Sequence, residues 1–104
     1  MNKKTKEITE DVEVIPQPKI FDLTEIGFKD LEGNFINLDF DKVQFANIMF
    51  PHVESIDTDN FLRSLHKEGK AEINDVVIAE VLNFIPKVYK FRAVQAIKEY
   101  IEKL

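Results

Sequence analysis

The sequence predicts an α+β fold: a β-hairpin packed on short helices, a C-terminal helical pair broken near Pro86, and an extended N-terminal arm. Three observations carry this reading. Apolar and polar residues alternate through 26–29 and 36–40, as in half-buried strands, on either side of Glu32-Gly33-Asn34. Residues 74–104 place apolar side chains at helical spacing on both sides of Pro86. Residues 1–19 switch from basic to acidic, end in Ile15-Pro16-Gln17-Pro18, and offer few side chains to a core. With 104 residues there is room for one core, so 1–19 is the arm and 20–104 a single domain.

Within the arm, Val12 and Val14 alternate with Asp11 and Glu13 and permit a short edge strand, limited by Pro16. The hairpin follows, with room for a preceding strand around Ile20 to Leu23. Ile26 and Phe28 form one strand, Ile36, Leu38 and Phe40 the other, and Gly33 supplies the positive φ of a three-residue turn with a bulge. Two strands alone are marginal, so the hairpin must lean on helices or another sheet.

A short helix is expected over Asp41 to Phe50, capped by Asp39 or Asp41 and stopped by Pro51. Val43, Phe45, Ala46, Ile48, Met49 and Phe50 make it apolar around most of its girth. Such a helix is covered on two sides, either wholly within the domain or with one side against a partner chain. The next helix has Asp57 as N-cap, Phe61, Leu62 and Leu65 as its buried stripe, and Gly69 just past its end. Lys70 to Ile73 is an extended link that can add a strand.

From Asn74, a good N-cap, the residues Val77, Ile78, Val81, Leu82, Phe84 and Ile85 form one stripe. Pro86 lacks the donor a continuous helix needs, which favours a break. Beyond it Tyr89, Ala93, Ala96, Ile97, Tyr100, Ile101 and Leu104 form a second stripe. Val88 and Phe91 lie off that stripe. Either they cover the preceding helix across a corner, or they face another chain.

Several function classes lose ground on composition. Formal net charge is −5 and the isoelectric point near 5.0, which makes nucleic acid an unlikely partner. Cysteine is absent, so disulfides, cysteine-based zinc sites and thiol nucleophiles are excluded together. No apolar run approaches the roughly 20 residues of a membrane span. Lys3, Lys4 and Lys6 lead into Glu7, Glu10 and Asp11 rather than an apolar region, unlike a signal peptide. A cytoplasmic protein, or one built into a particle assembled in the cytoplasm, is expected.

The sequence offers no chemistry of its own. His52 and His66 are isolated and fall short of a metal site. Asp57-Thr58-Asp59-Asn60 has the outline of a calcium loop, but Phe61 and Leu62 stand where a ligand and the turn glycine belong. Ser55 and Ser64 lack a nucleophile setting, and the three glycines are too scattered for a phosphate loop. No catalytic residue, metal or cofactor is expected. The surplus of apolar helix surface points instead to a non-catalytic protein-interaction or assembly module that self-associates or joins another assembly component. Its candidate interface is Phe45, Met49, Phe50, Val88 and Phe91. The alternative is a small regulatory nucleic-acid-binding protein, with Lys87, Lys90, Arg92 and Lys98 of the C-terminal helix region on phosphates.

One resemblance follows from the order of parts. A Phe28-Lys29-Asp30-Leu31-Glu32-Gly33-Asn34 hairpin and a short helix lead to Phe61-Leu62-Arg63, then Lys67-Glu68-Gly69-Lys70-Ala71-Glu72-Ile73 and a helix pair. Over residues 26–101 this resembles small uncharacterised bacteriophage- and prophage-encoded accessory proteins. The resemblance implies an accessory or assembly role in a virus-like particle and carries over no functional residue.

Overall fold

The computed structural model describes residues 17–104. Residues 1–16 of the N-terminal arm, with the expected edge strand at Val12 and Val14, lie outside the described residues, and Lys19 at the arm's end already belongs to a strand. The described chain runs β1 (Lys19–Asp22), β2 (Gly27–Lys29), β3 (Phe35–Asn37), α1 (Lys42–Met49), α2 (Ile56–Glu68), β4 (Lys70–Ile73), α3 (Asp75–Phe84) and α4 (Phe91–Glu102). Short 3-10 turns at 23–25, 50–52 and 85–87 join them. This is the α+β architecture the sequence predicts.

The expected hairpin forms, but it is shorter. β2 and β3 pair Gly27 with Asn37, Phe28 with Ile36 and Lys29 with Phe35. The turn is Leu31-Glu32-Gly33: the Asp30 N–H donates to the Asn34 carbonyl (2.9 Å), and Gly33 takes φ 89°. The Asp30 carboxylate accepts from the Glu32 and Asn34 amides at 3.0 and 2.8 Å, which fixes the loop. Phe40 is not part of the strand. Asp39 takes a positive φ of 51°, its amide held by the Asn37 side chain at 2.7 Å, and this bend sends Phe40 inward.

The link after α2 does become a strand, and it joins β1 rather than the hairpin. β1 and β4 pair antiparallel from Lys19 with Ile73 to Asp22 with Lys70. The outer edge of β1 meets no third strand among the described residues. The Asp22 amide donates to the Tyr100 hydroxyl at 2.8 Å, and that hydroxyl donates to the Ile20 carbonyl at 3.3 Å. Burial pushes the Tyr100 phenol above its ordinary value; the Asp22 amide opposes this and the charges of Glu25 and Asp22 reinforce it. It therefore stays protonated, as its double hydrogen bond requires.

Helix ends follow local chemistry. Asp41 caps α1 by accepting from the Val43 and Gln44 amides, and Asn74 caps α3 by accepting from Val77 at 3.0 Å. α2 ends at Gly69, which takes φ 79°. Its N-cap is Ser55, two residues ahead of the capping chemistry expected at Asp57; Asp57 sits inside the first turn and accepts from the Asn74 side-chain amide at 3.2 Å. α3 stops at Phe84, Pro86 sits inside the 3-10 turn 85–87, and α4 begins only at Phe91. The helical pair is broken at Pro86.

The core is aromatic at its centre. Phe21 of β1 is fully buried and meets Phe61 and Tyr100 edge-on at 5.5 and 5.4 Å and Phe45 at 6.2 Å. Phe45 passes the contact on to Phe40 and Tyr89. Leu62, Leu65, Val77, Val81, Ile85 and Ile97 close around this row.

One polar junction ties α2 to α3. The partly exposed Glu80 carboxylate accepts from the Ser55 hydroxyl (2.7 Å), the fully buried Thr58 hydroxyl and the Glu54 amide. Desolvation raises its pKa, but hydrogen bonds from Thr58, Ser55 and Glu54 outweigh that, and the net shift is down. A carboxyl that ionises more easily when folded stabilises the fold above its unfolded pKa. That stability is lost as pH falls from the ordinary glutamate range through the lower folded-state pKa. Glu80→Gln sets an amide donor against the Glu54 N–H and is expected to lose about 1–2 kcal/mol at pH 7. Urea titrations at pH 7 and at a series of lower pH values check this: wild type and variant should differ at pH 7, and the difference should shrink as the acid range is entered. Tyr100→Phe keeps the ring and removes the edge hydrogen bonds. It is expected to lose about 1 kcal/mol and to speed hydrogen exchange of the Asp22 amide.

Candidate functional site

The five residues expected to form an interface do not form one surface. Phe45 and Met49 lie in the core at 4% and 3% exposure, which corrects their assignment to an accessible face. The girdle of apolar residues on α1 is covered mainly from within: Phe45 stacks with Tyr89 at 5.8 Å, and α1 lies against α2. Val43 stays exposed, and Phe50 stands at the mouth of a groove of about 560 Å³ between α1 and α2. There the Arg63 guanidinium lies 5.1 Å over the Phe50 ring. Val88 is exposed in a separate cleft beside His52 and Phe84. Phe91, 70% exposed, opens α4.

Phe91 stands near a cleft formed by α4 and the hairpin. α4 lies on β2, and between the helix and the hairpin runs a cleft of about 430 Å³. Phe28 and Phe35 line its hairpin side, Ala96 and Gln95 its helix side. Phe35 is 56% exposed, and Ile36, next to it in β3 and on the other face of the strand, 41%. Gly27 permits the closeness of the strands: a Cβ there would stand 2.2 Å from the Ile36 carbonyl oxygen and 2.5 Å from the Phe35 ring. Across the ridge of α4 a smaller groove of about 300 Å³ holds Phe91 and Val94. Arg92 joins the two sides, its guanidinium 6.0 Å from the Phe28 ring centre and 5.6 Å from that of Phe91. Lys29, Lys103 and Glu99 complete the cleft rim.

The cleft combines aromatic rings with a guanidinium. Exposed cation–π pairs contribute about 0.5–1 kcal/mol, rising to about 2 kcal/mol when water is excluded. Aromatic and arginine side chains massed on one face are the residue types that dominate protein interfaces. Elsewhere, Ser55, Thr58 and the Glu54 amide gather on Glu80, and each Glu80 carboxylate oxygen is already an acceptor within the fold. Among the described residues no three His, Asp or Glu side chains gather as metal ligands, and no helix is long and apolar enough to cross a membrane.

Phe28 and Phe35 are residues of this cleft that sequence reasoning did not single out as a site, and Arg92 entered it only as a phosphate contact of the alternative reading. One signal was present: Phe35 and Ile36 are adjacent in a strand, so the pleat puts large apolar groups on both faces, and one face must lie outside the core. Comparison with protein families, with curated proteins and with solved structures finds no match for this chain.

Proposed function

We propose that the chain is a non-catalytic protein-interaction module that self-associates through the face shared by the hairpin and α4. The observation that carries this reading is Phe91, 70% exposed at the start of α4, with Arg92 bridging it to Phe28 beside the exposed Phe35. Isolated exposed apolar residues are ordinary, whereas several on one face around a guanidinium mark a contact surface. The resemblance of residues 26–101 to phage-encoded accessory proteins supplies the setting we propose, a particle assembled from repeated copies.

Light scattering behind size exclusion tests this over a wide concentration range. The wild type is expected at a small integer multiple of 12.1 kDa. Phe91→Asp should return the mass to that of one chain. Its melting should be unchanged, because the side chain is exposed and an acidic group in the first helical turn suits the dipole. Phe35→Thr keeps strand propensity and should act in the same direction. A single-chain mass for the wild type at every concentration overturns the reading. Charge reversal at Lys87 and Lys90 serves as a control. It should leave the mass alone, whereas a nucleic-acid-binding protein would lose salt-dependent affinity for DNA or RNA.

A further inference from the structure

The groove between α1 and α2 runs against the charge of the chain. Arg63, His66 and Lys67 line it beside Phe50, and among the described residues no carboxylate does, although the protein as a whole carries −5. Asp59 engages Arg63 at Nε, at 2.8 Å, and the guanidinium has further N–H donors to offer. Ala46 and Leu62, both buried, form the apolar floor. At about 560 Å³ the groove falls in the range that encloses ligands, roughly 300–1,000 Å³. An occupant should therefore be apolar at its centre and acidic at its flanks.

The tip of the β2–β3 hairpin has that form. Leu31 is fully exposed, with Asp30 and Glu32 on either side of it in the turn. The turn is fixed before any contact is made: Asp30 exchanges backbone hydrogen bonds with Asn34 and Gly33, and its carboxylate holds the Glu32 and Asn34 amides. A loop already ordered loses little entropy on docking. Lys29, the cation next in sequence, lines the α4 cleft instead. We propose that the hairpin tip of a second copy occupies the α1–α2 groove, with Leu31 on the floor of Ala46 and Leu62 and the two carboxylates facing Arg63 and Lys67. This rests on the self-association reading above and names the surface of the neighbour that receives the hairpin.

The choice of a second copy comes from charge and from exposure. Every chain carries both halves, an acidic knob and a basic groove, and opposite potentials on two patches steer one copy onto another. The two halves do not meet within one chain, since Leu31 is fully exposed. The tip also continues the hairpin–α4 face, so a copy seated by its tip brings that face against its neighbour. Because knob and groove are different patches, copies join reciprocally in pairs or head to tail around a ring, and either closes at a small multiple of one chain.

Two full-length variants test the contact by the same mass measurement. Leu31→Lys/Glu32→Lys reverses the tip and leaves Asp30 to hold the turn; Arg63→Glu/Lys67→Glu reverses the groove. All four side chains are exposed, so circular dichroism and melting should stay close to wild type. Each variant alone is expected to weaken association about tenfold or more, because like charges then face each other. Lys67→Glu alone, which keeps the Arg63–Asp59 pair, should act in the same direction and less strongly. An equimolar mixture of the two double variants should recover wild-type association, since native tip then meets native groove and reversed tip reversed groove. A mixture of folded variants no better than its components overturns the proposal. So does a folded groove variant, double or single, that associates like wild type, and in that case the self-association reading stands. A wild type of single-chain mass removes both.

Discussion

The fold depends on the burial of one ring. Phe21 sits on a four-residue strand, yet its side chain touches α1 through Phe45, α2 through Phe61 and α4 through Tyr100. Each edge-on aromatic contact contributes about 0.5–1.5 kcal/mol beyond the area it removes from water. Truncating a buried phenylalanine typically costs about 3–5 kcal/mol, a large share of the 5–15 kcal/mol that holds a domain folded. The strand that bears Phe21 is fixed by β4 on one edge and by the Tyr100 hydroxyl on the other. The same ring of α4 thus packs on Phe21 and hydrogen-bonds the backbone flanking it. Three helices remote in sequence converge where β1 places its one fully buried residue.

Much of this architecture was legible because it is local. Asp41, Asn74 and Gly69 sit where their side chains or backbone freedom end helices, and Pro86 breaks the helical pair. Gly33 opens the turn the hairpin needs. The errors are instructive. Asp57 and Ser55 are both good caps; Ser55 won because its hydroxyl also reaches Glu80, a contact made by a helix twenty-odd residues away. Phe40 continues the strand pattern but leaves the strand at Asp39, whose left-handed backbone the pattern does not announce. The pairing of β1 with β4 joins residues some fifty positions apart. No spacing within either strand could signal it.

The candidate site was legible only in part, for a related reason. Apolar periodicity says that a helix face is covered and is silent on what covers it. On α1 the cover is internal, from Tyr89, Phe40 and α2, so Phe45 and Met49 belong to the core. Phe91 is the reverse case: lying off the stripe of its own helix, it stays exposed. The cleft beside it requires α4 to lie on β2, and the closeness of Phe35 to Gly27 requires a particular register. These are properties of the tertiary arrangement, carried by residues that look unremarkable along the chain.

The hydroxyl of Tyr100 has a consequence for how the molecule behaves in a crowd. A short strand with free amides and carbonyls along one side is a template on which other chains add, and repeated addition leads toward cross-β aggregates. Here a side chain takes both the donor of Asp22 and the acceptor of Ile20, and its ring stands where an added strand would run. A protein that presents exposed phenylalanines on its hairpin–α4 face thereby keeps its two-stranded sheet from seeding fibrils along this side. Along this edge backbone pairing, which is indiscriminate, is obstructed by a side chain of the same molecule.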